Sequence, residues 1–91
     1  MSFEDDVMRA YPEKIDEIAE YLSHDEGIIS CYNSPSKEEI AAKLNEPSLR
    51  VFSDNVGGVL TYCNHELDST HLIDIEFNGV LERFFNVSID G

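Results

Sequence analysis

The apolar positions of the first quarter of the chain recur at helical spacing. At about 100° per residue, Phe3, Val7, Met8, Tyr11, Ile15, Ile18, Ala19 and Leu22 form one stripe. Asp5, Asp6, Arg9, Glu13, Asp16, Glu17 and Glu20 fall on the opposite side. The pattern predicts an amphipathic helix from Ser2 to about Ser23. Ser2 with Asp5 three residues on suits an N-terminal cap, and acidic residues in the first turn complement the helix dipole. Pro12 removes one hydrogen bond and clashes with the preceding turn, so the segment is either one kinked helix or two nearly collinear ones.

Beyond Ser23 the period changes. Gly27 suits a left-handed helix stop, and Ile28 to Tyr32 reads as a short strand. Asn33-Ser34-Pro35 turns the chain. Ser36 with Glu39 is a capping box opening a second, short helix through about Leu44, with Ile40, Ala41 and Leu44 as its apolar face. Strands then follow at 49–54, 59–64, 72–77 and 80–88, with Asn55 to Gly58 as one turn and Glu66 to Thr70 as a polar loop. Asn78-Gly79 is a strong signal for a two-residue hairpin. That loop sets the register: Phe77 faces Val80, Ile75 faces Glu82 and Ile73 faces Phe84 on one sheet face. The other face pairs Glu76 with Leu81, Asp74 with Arg83 and Leu72 with Phe85. Asp74–Arg83 is then a cross-strand ion pair worth about 0.2–1 kcal/mol. The first face is the better core. The second mixes apolar and charged residues, as an interface does. The expected fold is α+β: an N-terminal helix, a short strand, a second short helix, then a four-stranded antiparallel meander packed on the helices. Its 91 residues suit a single domain spanning 1–91.

Charge narrows what such a domain binds. There are 19 acidic residues against 6 basic ones, a formal net charge of −13. This argues against direct binding of nucleic acid or of an anionic membrane, both of which need a basic patch. It fits either a surface tuned for solubility, as in a halophilic source, or an electrostatic match to a basic protein partner. The apolar fraction of 42% belongs to a folded domain rather than an acidic tail. The acidic N-terminal stretch lacks the basic-then-apolar order of a secretory signal. No apolar run approaches the roughly 18 residues of a membrane span. The two cysteines, Cys31 and Cys63, are too few for a disulfide-built secreted domain. A cytoplasmic chain with reduced thiols is expected, in which Asn86-Val87-Ser88 has no meaning as a glycosylation sequon.

Candidate chemistry is sparse. Cys63-Asn64-His65, with His71 and Cys31, is the one metal-like grouping. Its spacing lacks the paired ligands of structural zinc sites, and a small buried thiol beside a loop histidine is the expected arrangement, with no metal and no cofactor. Neither cysteine sits where a helix start or a cation would lower a thiol pKa, and the surrounding carboxylates act the other way. Paired carboxylates such as Asp5/Asp6, Asp16/Glu17 and Glu38/Glu39 read as solvated faces, since acid–base work needs a desolvated cleft. No EF-hand loop, P-loop or nucleophile elbow is present. The chain is therefore expected not to be an enzyme. Two surfaces remain as candidates for binding: the acidic helix face with Asp6, Glu13, Asp16, Glu17 and Glu20, and the mixed sheet face with Asp74, Glu76 and Phe85.

In size, acidity, lack of a catalytic motif and α+β order, the chain resembles the small bacterial immunity proteins that neutralise nuclease toxins. The resemblance is one of type and rests on no diagnostic motif. It implies a cytoplasmic inhibitor that docks an acidic surface on a cationic toxin domain, binding with a salt-sensitive on-rate. A phage-type nucleic-acid mimic uses the same physics. A homodimeric interaction module, joined through the second sheet face, is the alternative of a different kind.

Overall fold

A computed structural model describes residues 2–91. Helix α1 spans Phe3–Ala10, a 3-10 turn covers Tyr11–Glu13, and α2 spans Ile15–Ser23. Helix α3 is Glu26–Tyr32 and α4 is Lys37–Lys43. Strands β1 (Ser48–Val51), β2 (Gly57–Tyr62), β3 (Leu72–Asn78) and β4 (Arg83–Asp90) follow, forming one antiparallel sheet in the order β1-β2-β3-β4. The α+β class and the four-stranded meander are as expected.

The helices form for the local reasons visible in their ends. Ser2 Oγ accepts from the Asp5 amide at 3.1 Å, and the Asp5 carboxylate takes the Ser2 amide in return. Ser36 Oγ accepts from the Glu39 amide at 3.1 Å. At Pro12 the chain neither continues nor merely bends. It tightens into the 3-10 turn, which separates α1 from α2 and tolerates proline near its start. Val7, Ile18, Ala19 and Leu22 of the stripe are buried, whereas Met8 is 59% exposed.

One segment departs outright from the expected order. Residues 28–32 are not a strand but belong to α3, and Gly27 lies inside that helix rather than ending the one before. Asp25 decides this: its carboxylate accepts from the Ile28 amide at 3.1 Å and caps a new helix. Asn33, left-handed at φ 60°, closes it. Two adjacent isoleucines favour a strand locally, but Ile28 is fully buried while Ile29 is 37% exposed. The single buried position suits a one-turn amphipathic contact.

The core lies between the helices and one face of the sheet. Val7, Ile18, Leu22, Ile28, Ile40 and Leu44 from the helical layer meet Leu60, Tyr62, Ile73, Ile75 and Phe77 from the strands. Ile73, Ile75 and Phe77 thus occupy the core face as their alternation requires. Tyr62 is fully buried, and its hydroxyl meets that of Tyr11 at 2.8 Å, tying the 3-10 turn to β2. Burial, reinforced by the neighbouring phenol, raises the Tyr62 pKa above the usual phenol value. Gly57 and Gly58 open β2 instead of forming the β1–β2 turn. A Cβ on Gly58 would strike the Arg50 carbonyl and crowd Phe77, so the close approach of β1 requires glycine there.

The β3–β4 connection also differs. Asn78 pairs with Arg83, making a four-residue turn over 79–82 rather than a two-residue hairpin. Phe77 faces Phe84, and Ile75 faces Val87. A β-bulge sets Phe85 opposite Glu76 and leaves Asn86 at φ 50°. Asp74 consequently lies opposite Ser88, so the expected Asp74–Arg83 pair does not form. Leu81, expected on the outer face, is fully buried in the core at φ 57°. The slip from the expected register is an even number of residues as far as Phe84, so Phe84 stays on the core face and Phe85 on the outer one.

Candidate functional site

The expected helix-face residues lie on three successive elements, and all are exposed except Asp6, which is half-buried. Asp16, Glu17 and Glu20 stand on α2 opposite Ile18, Ala19 and Leu22, while Glu13 extends the row on the 3-10 turn and Asp6 lies earlier on α1. The row is partly compensated. Lys37 of α4 reaches Asp16 at 3.2 Å and Glu20 at 3.8 Å. Lys14 lies 3.6 Å from Glu17, and Arg9 lies 3.7 Å from Asp6. The hydrogen bond to Asp16 is the main cause of the raised Lys37 pKa. These pairs are solvent-exposed, so each contributes little to stability.

Asp74, Glu76 and Phe85 are not part of that surface. They project from the sheet face turned away from the helices, where all three are half-buried. Thr61 donates its hydroxyl to Asp74, and Asn86 Nδ2 lies 3.4 Å from Glu76. Val59 shares this face and is only 7% exposed, flanked in the register by Arg50 on β1 and Glu76 on β3. A single flat partner cannot touch both sets at once, so the two expected surfaces are separate sites.

The helix row instead continues into a groove of about 700 Å³ between α2, the start of α3 and the β3–β4 turn. Its lining comprises Glu17, Glu20, Tyr21, His24, Asp25, Glu26, Glu82, Arg83 and Phe84. Five carboxylates therefore surround one guanidinium and one imidazole. The Tyr21 and Phe84 ring centroids lie 5.9 Å apart with their planes 52° apart, a tilted aromatic contact that joins α2 to β4 beside the groove. His24 Nε2 lies 2.7 Å from Glu20 Oε2. Glu17 and Glu20 are the two expected residues that the fold brings into this groove. Tyr21, Asp25, Glu26, Glu82 and Phe84 were not legible as site residues. The sole hint was Tyr21, adjoining the acidic row on the helical wheel. Glu82 and Phe84 needed the true hairpin register.

The histidine–cysteine group resolves differently from expectation. Both cysteines are free and exposed, so neither is the buried thiol expected. The buried member is His65. Its Nε2 donates to the His71 carbonyl at 2.7 Å and its Nδ1 accepts from the Leu67 amide at 3.1 Å, which uses both ring nitrogens in holding the β2–β3 loop. Asp68 fastens the same loop. It accepts from the Thr70 and His71 amides and lies 2.8 Å from His71 Nδ1. Desolvation works against its ionisation, but these hydrogen bonds outweigh it and hold the carboxyl down at about 2. The Tyr32 hydroxyl is buried and has no hydrogen-bond partner of good geometry among the described residues. Burial first, then Asp68, raises the Tyr32 pKa. Among the described residues no three His, Cys, Asp or Glu side chains are grouped to hold a metal ion. No helix among them is long and apolar enough to cross a membrane.

Fold and groove together define a two-layer α+β domain with a strongly acidic helical face. No protein-family model matches the chain, and no curated protein or solved structure matches it significantly.

Proposed function

We propose that this protein is a binding module that neutralises a cationic protein, of the kind exemplified by a nuclease-type bacterial toxin, by docking its acidic helical face over the partner's basic site. The observation that supports the reading is the excess of carboxylates on this side: Asp16, Glu17 and Glu20 of α2 are only partly compensated by Lys14 and Lys37, and Glu17 and Glu20 line the same groove as Asp25, Glu26 and Glu82. On a packed layer such a row is a fixed field. It steers a cationic partner to one orientation and mimics the charge spacing of a polyanion without being one. The mode of action in this reading is inhibition by occupancy of the partner's basic site.

The test is affinity capture on the immobilised chain from its native host at low and at moderate salt, followed by identification of what is retained and assay of its activity. A basic protein that is retained, loses its activity at one-to-one stoichiometry, and is released by the triple change Glu17→Gln, Glu20→Gln, Glu82→Gln supports the proposal. Retention of no basic protein at either salt concentration sinks it.

A further inference from the structure

Of the three histidines only His65 is buried: its side chain has no exposure, against 75% for His24 and 43% for His71. Its two backbone partners leave no choice of tautomer. The His71 carbonyl can only accept, so Nε2 carries the hydrogen. The Leu67 amide can only donate, so Nδ1 offers a lone pair. A second proton would go to Nδ1 and set N–H against N–H. The ring can therefore take a positive charge only by giving up the Leu67 amide.

The groups around the ring do not relieve this conflict. Asp68 Oδ1 lies 4.0 Å from Nε2 and draws positive charge to the ring, but from the side that already carries a hydrogen. From α3 the Tyr32 ring meets the imidazole edge-on with centroids 6.1 Å apart, and burial and Asp68 keep that phenol neutral. From α4 the Lys43 carbonyl takes the Glu66 amide at 2.8 Å, while the Lys43 side chain turns to Glu39 and the Glu66 carboxylate meets Asn45 Nδ2. Residues 64–66 are thus held to α4 by backbone bonds that do not titrate, the second being Asn45 Nδ2 to the Asn64 carbonyl at 2.7 Å. Asp68 bonds only within the next few residues and stays ionised down to about pH 2, so it keeps the turn at 68–71 formed.

We propose that residues 67–71 form an acid-released strap pinned by neutral His65, in which protonation of the ring and release of the Leu67 amide are a single event. The strap goes beyond the partner reading and does not depend on what the acidic face binds.

The isotopically labelled full chain is followed by nuclear magnetic resonance as pH is lowered from about 7 to about 5, the range in which histidine ordinarily charges. Long-range nitrogen shifts report the state of each imidazole, and amide exchange reports the loop. At the start His65 is expected in its Nε2–H form. Its charging and the loss of Leu67 protection should follow one curve. Protection should fall by up to about tenfold per pH unit, the limit for one linked proton, while the Glu66 amide stays protected. His65→Gln offers the His71 carbonyl a donor without a titrating nitrogen and should make Leu67 protection independent of pH over this range. His71→Gln should keep the transition. A charged His65 with Leu67 still protected, or constant Leu67 protection across the range, overturns the strap on the unsubstituted chain alone. A transition that survives His65→Gln overturns it as well.

Discussion

Asp68 shows how much a single side chain settles in a loop without regular structure. The β2–β3 connection crosses from one core strand to the next, and its backbone amides have no strand to pair with. One carboxylate takes two of them, at Thr70 and His71, together with the His71 ring. Because these bonds favour the ionised form, the folded-state pKa lies at about 2, below the ordinary 3.8. A depressed carboxyl contributes stability that is fully present above its unfolded value and lost as pH falls through its folded one. The chain is therefore expected to lose denaturation free energy between about pH 4 and about pH 2, with Asp68 as one source. Asp68→Asn should lower stability at neutral pH and flatten the curve across that window. Urea titrations at a series of pH values check this, and parallel curves for the two proteins would falsify the assignment. His65 was legible only as one of a metal-like set, because nothing in the sequence tells that both of its ring nitrogens meet backbone groups.

At the level of elements, the β3–β4 hairpin carries the sharpest lesson. Asn-Gly is the residue pair that a tight type I′ turn wants, and Gly79 does adopt a positive φ of 66°. The pair nonetheless begins a longer turn, because the following residue pattern has an apolar side chain to bury. Leu81 accepts a left-handed backbone, unfavourable for its side-chain type, and in exchange fills the core completely. Leu81→Ala keeps the backbone conformation and empties that volume. It is expected to destabilise by about 2–5 kcal/mol, whereas Met8→Ala on the exposed side of α1 should stay within about 0.5 kcal/mol. Denaturant midpoints for the two variants measure the difference. Similar losses for both would mean that Leu81 is not a core residue. The α3 segment failed to read as a helix for the converse reason. Ile28 and Ile29 have strand propensity, and the Asp25 cap that overrides it lies outside the apolar run.

For the whole molecule, the dominating quantity is the net charge of −13. Most of it is held on exposed side chains, and four of the six basic residues, Arg9, Lys14, Lys37 and Lys43, are drawn into short surface pairs that leave the field largely intact. Self-repulsion should therefore be relieved by screening. The thermal midpoint is expected to rise as sodium chloride is raised from low to physiological concentration, before any specific ion effect enters. Differential scanning calorimetry at constant pH tests it; a midpoint that falls or stays flat over that range would show that local ion pairs such as Lys37 with Asp16 outweigh the repulsion. The same screening should weaken association with any cationic partner, so stability and binding are expected to respond to salt in opposite directions.

The sequence by itself determined the class of fold, the capped starts of α1 and α4, the four strands, and which face of β3 enters the core. These follow from period, caps and alternation, which act over a few residues and need no distant partner. It also determined the overall charge, and hence which partners to exclude. Only the tertiary structure decided that residues 26–32 are helical, that the hairpin turn is four residues long, and that Glu17 and Glu20 share a groove with Glu82 and Phe84 while Asp74, Glu76 and Phe85 face away from them. The turn and the groove depend on contacts between elements distant in sequence, whereas α3 rests on a cap at Asp25 that the neighbouring apolar run outweighs in a local reading. A one-residue bulge and a capped turn, each worth about a kilocalorie or two, are enough to choose among registers that local pattern leaves nearly equal.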